Sequence, residues 1–182
     1  AMGGKTLLLM TSNSRLHSAA EELRDRLDPE GFEVFDSLTD HRAVENFRNS
    51  KRALLIGSEK YGEGLDIPGQ TLSCVIIEKI NESMTRGPLA DARKSQLDFA
   101  IYEYDFPLRM IWLKQRVGRL IRTPRDLGYI AIFDPRYHRW SRKSQDFVNQ
   151  AVSPIPVFSG SKEDFIKKIE NFSQLIETKG LQ

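Results

Sequence analysis

Apolar residues fall along this chain in two alternating rhythms. Thr6–Thr11 (TLLLMT) is a short unbroken apolar run, the pattern of a strand buried on both faces. Polar Ser12–Ser14 follows and offers helix caps. Leu16, Ala19, Ala20, Leu23 and Leu27 then recur at helical spacing until Pro29 and Gly31 end the run. Phe32–Phe35 is a second short strand, and His41–Asn49, with Val44 and Phe47 on one side, a second helix. Ala53–Ile56 and Leu72–Ile77 are the third and fourth strands, joined by a glycine-rich loop. Beyond a polar stretch, Gln96–Tyr104 and Pro107–Ile121 read as helices. Tyr129–Phe133 is a fifth strand, Gln145–Val152 a short helix and Lys162–Ile176 a final amphipathic helix.

Strands that alternate with helices imply right-handed crossovers and a mostly parallel sheet flanked by helices. The expected architecture is therefore a single α/β domain over residues 1–182, with a polar insertion after the fourth strand, over about residues 79–106. Its first part, Lys79–Lys94 (KINESMTRGPLADARK), carries Gly87 and Pro88 and is expected to stand away from the sheet. In such sheets function gathers in loops beyond the carboxyl ends of the strands. Three segments are candidates for that position: Ser12–Ser14, Gly57–Gly69 and Gln115–Arg122.

Composition narrows the picture. With 182 residues, 40% hydrophobic and 29% charged, the chain fits one ordinary domain. Its 27 Lys+Arg against 25 Asp+Glu give a net charge of +2, which excludes a strongly basic nucleic-acid tail and a highly charged disordered chain. Cys74 is the only cysteine, so neither an intramolecular disulfide nor a four-cysteine zinc or iron–sulfur site can form within this chain. His17, His41 and His138 lie far apart in sequence, and no metal site is expected of them. No apolar run approaches the roughly 20 residues of a membrane helix, and no basic-then-apolar leader opens the chain. The expectation is a cytoplasmic domain without a membrane partner.

Four stretches carry candidate chemistry. Gly4-Lys5-Thr6 imitates the end of a phosphate loop, but such a loop needs an upstream strand and glycine and a following helix, whereas here a strand follows. It reads as a linker into the first strand. Gly57–Gly69 (GSEKYGEGLDIPG) holds four glycines, which allow close backbone approach to a ligand. Glu63 and Asp66 flank Gly64 there, as acceptors for a ribose hydroxyl, as groups near a Mg²⁺-bound nucleotide, or simply as solvated acids. Lys114–Thr123 (KQRVGRLIRT), if helical, brings Gln115, Arg119 and Arg122 within roughly 60° of one another. Paired guanidiniums suit a phosphoryl group in transfer and equally a nucleic-acid backbone. Arg136, Tyr137, His138, Arg139, Trp140, Arg142 and Lys143 mix basic and aromatic groups, which suits a single strand through stacking and phosphate contact. Cys74 and Trp112 read as core residues.

The combination GEGLDIPG (62–69), LKQRVGRLIRTPRDLG (113–128) and a strand ending in Asp134-Pro135-Arg136 resembles the carboxyl-terminal helicase domain of the DinG/XPD family, superfamily 2 ATP-dependent DNA helicases. LLLMTSNSRL (7–16) resembles helicase motif IV, GSEKYGEGLDIPG motif V, and QRVGRLIR (115–122) motif VI. The resemblance implies a RecA-like fold, the second of two motor domains, acting on single-stranded DNA. It implies ATP and Mg²⁺ held in a cleft shared with a first motor domain of the same polypeptide, of which this chain would be a fragment. It assigns Arg119 and Arg122 toward the γ-phosphate, Gln115 as its sensor, Glu63, Gly64 and Asp66 to nucleotide coupling, and Thr11, Ser12 and Asn13 to the DNA strand. The family's phosphate loop, Mg²⁺ acid and cluster cysteines belong to the first domain, so no iron–sulfur cluster is expected in this chain, and the isolated chain is expected to hydrolyse no ATP. Two positions depart from the family: Tyr61-Gly62 precedes Glu63 in place of paired aromatics, and Lys79-Ile80-Asn81-Glu82 replaces Leu-Pro-Phe after the fourth strand. The alternative is a non-catalytic RecA-like module for nucleic-acid binding or partner docking.

Overall fold

The computed structural model describes residues 4–58, 72–82, 85–121 and 127–179. Five strands, β1 (Thr6–Met10), β2 (Glu33–Asp36), β3 (Ala53–Ser58), β4 (Cys74–Ile77) and β5 (Tyr129–Ile132), form one sheet in the order β2-β3-β1-β4-β5. Every pairing is parallel, with Leu7 opposite Leu55 on one side and Val75 on the other. A strand between two parallel neighbours has no solvent-facing side, which is why β1 and β3 read as apolar runs and not as alternation.

Alternate side chains sort the helices into two layers. On one face Met10, Val34, Leu54 and Ile56 pack against Leu16 and Ala20 of α1 (Asn13–Leu27). That helix runs into a short 3₁₀ turn at Asp28–Glu30 and is closed by Gly31, whose φ of 73° suits a residue without Cβ. On the other face Leu7, Leu9, Leu55, Val75 and Ile77 meet Ala43 and Phe47 of α2 (Ala43–Asn49). The same face carries α4 (Phe106–Val117) and α5 (Arg142–Val152), which bring Phe106, Trp112, Leu113, Val148 and Val152 into the same core. The final helix, α6 (Lys162–Lys179), covers β5 on the α1 side: Tyr129 meets Phe172 edge-on, Phe133 meets Phe165, and the Tyr129 hydroxyl donates to Ile169 O at 2.9 Å.

The insertion is not the detached excursion that its polarity suggests. Ile80, Asn81, Thr85 and Ala90 are buried, and 88–94 forms a short helix, α3 (Pro88–Lys94). Buried Asp134, just after β5, accepts from Ile80 N at 3.0 Å and from Arg136 Nη2 at 2.6 Å. Arg136 in turn pairs with Glu82, and Glu82 also takes Arg86 at 2.7 Å and Arg109 at 3.3 Å. Charges hidden behind ion pairs thus anchor a segment whose composition looks solvated.

Two helix expectations also shift. The segment expected to be helical over Gln96–Tyr104 is wound as a π-helical turn at Ile101–Asp105 leading into α4. The wider turn lets Tyr102 stack on both Phe106 and Phe147, at centroid distances of 6.2 and 6.3 Å. The helix expected to reach Ile121 ends at Val117. Arg119 N and Leu120 N bond three residues back, to Arg116 O and Val117 O, at 3.0 and 3.1 Å. The tighter turn carries Leu120 inward to full burial beside Gly128. Among the described residues no helix is long and apolar enough to cross a membrane.

Candidate nucleotide and strand sites

The sheet has two edges, and the candidate residues divide between them. Thr11, Ser12 and Asn13 follow β1 at the carboxyl edge, where the sequence puts them. Their loop is fixed by Glu78, the residue just after β4. Its carboxylate accepts from both Thr11 N and Thr11 Oγ1 at 2.9 Å and pairs with exposed Arg15. Burial pushes the Glu78 carboxyl up, but the Thr11 hydrogen bonds and the Arg15 and Lys79 charges outweigh it and hold the group below its ordinary range. Ser12 opens α1 with extended backbone, its Oγ 2.9 Å from Ser14 Oγ, and Asn13 and Ser14 are exposed.

The same edge carries the segment after β5. Of its basic and aromatic residues, Arg136 is taken up by Asp134 and Glu82, which leave it more firmly protonated than usual. Trp140 turns edge-on to Phe106 at 5.3 Å. Arg139, Arg142 and Lys143 are exposed, with Lys143 Nζ 4.1 Å from the Tyr102 ring centroid. The Tyr102 hydroxyl lies 3.2 Å from Ser141 Oγ.

Gln115 and Arg119 lie at the opposite, amino edge. This corrects the expectation that the Gln115–Arg122 segment shares the carboxyl edge. Because β4 and β5 are parallel, the chain between them must run back along the sheet, so the last turn of α4 meets the start of β5. Gly128, just before β5, is so close to Ser73 O and Leu120 that a Cβ there would lie 2.6 and 2.8 Å away. Lys5, entering β1 at this edge, is buried with Nζ donating to Arg48 O at 2.6 Å, a structural use consistent with a linker and not a phosphate loop.

At the end of α4, Gln115 is exposed and Arg119 partly so. The tightened turn rotates Arg119 further from Gln115 than a continuous helix would. Between them Arg116 is 1% exposed, its guanidinium 4.5 Å from the Trp112 ring centroid and its Nη1 donating to Gln115 Oε1 at 3.1 Å. Arg122, Glu63, Gly64 and Asp66 lie outside the described residues. Among the described residues no group of three or more His, Cys, Asp or Glu converges.

Sequence reading missed Glu78 and Arg116. Each had a signal: a carboxylate directly after a buried strand, and an arginine on the apolar stripe of Trp112, Leu113 and Val117.

Comparison with known proteins agrees with this frame. The family model described as the helicase C-terminal domain matches residues 1–153, leaving α6 beyond it. The chain is 31% identical over 140 residues to the ATP-dependent DNA helicase YoaA of Escherichia coli (strain K12), covering 75% of this chain and 22% of that protein. It is 30% identical over 175 residues to the 3'-5' exonuclease DinG of Staphylococcus aureus (strain MSSA476), covering 93% of this chain and 19% of that protein. The chain thus spans about a fifth of these relatives. Among solved structures, S. cerevisiae Dbp5 bound to RNA and ADP BeF3 superposes with a TM-score of 0.56 at 15% identity, over 96% of this chain and 38% of that one. Domain 2 of the DEAD-box helicase Mss116p, bound to an RNA duplex, gives 0.51 at 12% identity, over 89% and 54%. These two likenesses establish the RecA-like fold.

Proposed function

The chain belongs to the helicase C-terminal domain family, and from that premise we propose that it is the second motor domain of a DinG-type ATP-dependent DNA helicase. In this reading a first motor domain of the same polypeptide holds ATP and its Mg²⁺, and this domain closes over the nucleotide. The observation that carries the reading is the end of α4, where exposed Gln115 and partly exposed Arg119 flank the buried Trp112–Arg116 pair. A phosphoryl group in transfer gathers negative charge on oxygens that only accept hydrogen bonds. Arg119, with Arg122, stabilises that charge, and Gln115 donates to the γ-phosphate. Glu63, Gly64 and Asp66 couple nucleotide state to the strand.

Single-stranded DNA runs along the carboxyl edge, over Thr11, Ser12 and Asn13. Glu78 holds Thr11 there, while Arg139, Arg142 and Lys143 supply phosphate contacts. Strand and nucleotide then occupy opposite edges of one rigid sheet, so cleft closure at one edge moves the other.

The test is Arg119→Ala in the full-length protein. DNA-stimulated ATP hydrolysis is expected to fall by about 10³-fold or more, the usual worth of an arginine finger, with the Kd for single-stranded DNA unchanged. Normal turnover would refute the assignment. An intact protein that never hydrolyses ATP would favour a non-catalytic module that binds nucleic acid or a partner.

A further inference from the structure

Arg116 is an expensive residue where it stands. It lies on the inner stripe of α4 with Trp112, Leu113 and Val117, all buried. Taking a guanidinium out of water is costly, and an apolar side chain of similar volume is often as stable or more so. Packing therefore does not account for it. Nor does it reach solvent, so it cannot itself touch a nucleotide. Among its contacts is the Gln115 amide, through Nη1 to Oε1 at 3.1 Å, and Nη1 also donates to Trp112 O at 3.5 Å.

We propose that Arg116 is a positioning residue that sets the orientation of the Gln115 amide and so presents its NH₂ group to the γ-phosphate of a bound nucleoside triphosphate. An amide has an acceptor end and a donor end of nearly equal size, and on an exposed glutamine the two interchange by rotation. A guanidinium has donors only. Arg116 therefore engages the carbonyl end alone and leaves the donor end outward. Phosphoryl oxygens only accept, so the other orientation would set oxygen against oxygen. The Trp112 ring, 4.5 Å from the guanidinium, stacks it and steadies its plane, while the proposed role itself needs only a donor aimed at Oε1.

This inference rests on Gln115 facing the γ-phosphate, and the experiment separates the two claims. The full-length protein is prepared as Gln115→Ala, Arg116→Met, Arg116→Lys and the Gln115→Ala/Arg116→Met double variant. DNA-stimulated ATP hydrolysis is measured with kcat and KM resolved, alongside the Kd for a non-hydrolysable triphosphate and for ADP, and the Tm. Gln115→Ala and Arg116→Met are each expected to lower kcat/KM about tenfold, the worth of one hydrogen bond to a charged acceptor. The double variant loses no more than either single one. Triphosphate affinity falls while ADP affinity and Tm hold, and Arg116→Lys, which keeps a donor for Oε1, restores most of the activity. If Gln115→Ala is impaired but both Arg116 variants are fully active, the positioning role is wrong and the γ-phosphate reading stands. Losses that multiply in the double variant, or that strike ADP and triphosphate alike, also overturn it. Normal turnover by Gln115→Ala removes the γ-phosphate reading and the positioning role together.

Discussion

Asp36 shows what a single buried carboxylate does for this fold. It ends β2 at 1% exposure and accepts from Leu38 N at 3.0 Å, Thr39 N at 2.9 Å and Thr39 Oγ1 at 2.6 Å, with Arg24 paired to the same group. Burial alone would raise its pKa; the Thr39, Arg24 and Leu38 hydrogen bonds outweigh burial and bring it from 3.8 down to about 2. The folded pKa lies below the unfolded one, so as pH falls the unfolded chain takes up the proton first. The stabilisation, about 2 kcal/mol, is therefore complete above pH ~4 and is lost as pH falls toward ~2. Asp36→Asn is expected to cost about that much at pH 7 and to flatten the acid limb of the stability curve, as read by urea unfolding at a series of pH values. An unchanged acid limb would show that other carboxylates govern it. None of this was legible in sequence, where Asp36 is one acid among 25 Asp+Glu.

At the scale of elements, the end of α4 is decided by what it packs against. Helical spacing by itself would continue through Ile121, yet the turn tightens after Val117 so that Leu120 can lie against Gly128. Gly128 leaves no room for a side chain, because a Cβ would sit 2.6 Å from the Ser73 carbonyl oxygen, which already accepts from Tyr129 N at 3.0 Å. Gly128→Ala must move backbone or displace Leu120, and with it the neighbouring Arg119. It is expected to cost about 1–3 kcal/mol in urea unfolding and to depress ATP turnover of the full-length protein. Wild-type stability would mean that the β5 entrance relaxes freely and does not brace the turn.

For the whole molecule, the proposed function implies a separation of roles by sheet edge. Charge at the carboxyl edge should govern strand binding, and donors at the amino edge ATP turnover. Replacing Arg139, Arg142 and Lys143 together by Gln is expected to reduce the slope of log K for single-stranded DNA against log salt by about 2, if all three meet phosphates. ATP turnover at saturating DNA should stay the same. An unchanged slope would remove this surface from the strand path.

The alternation of apolar strands with amphipathic helices and the order of the motif residues are local properties, so the sequence by itself determined a parallel α/β domain and the candidates Thr11, Ser12, Asn13, Gln115 and Arg119. Strand limits came within one or two residues, because two-sided burial leaves an unbroken apolar run. The tertiary structure decided which edge each candidate occupies, since the parallel pairing of β4 with β5, and not spacing along the chain, sends α4 back to the amino edge. It also decided which charges are buried. Arg116 and Asp134 are buried and Glu78 and Arg136 partly so, and partners 1 to 67 residues away meet these charges. A charge joins a core when its partner is brought to it, and that happens only in the folded chain.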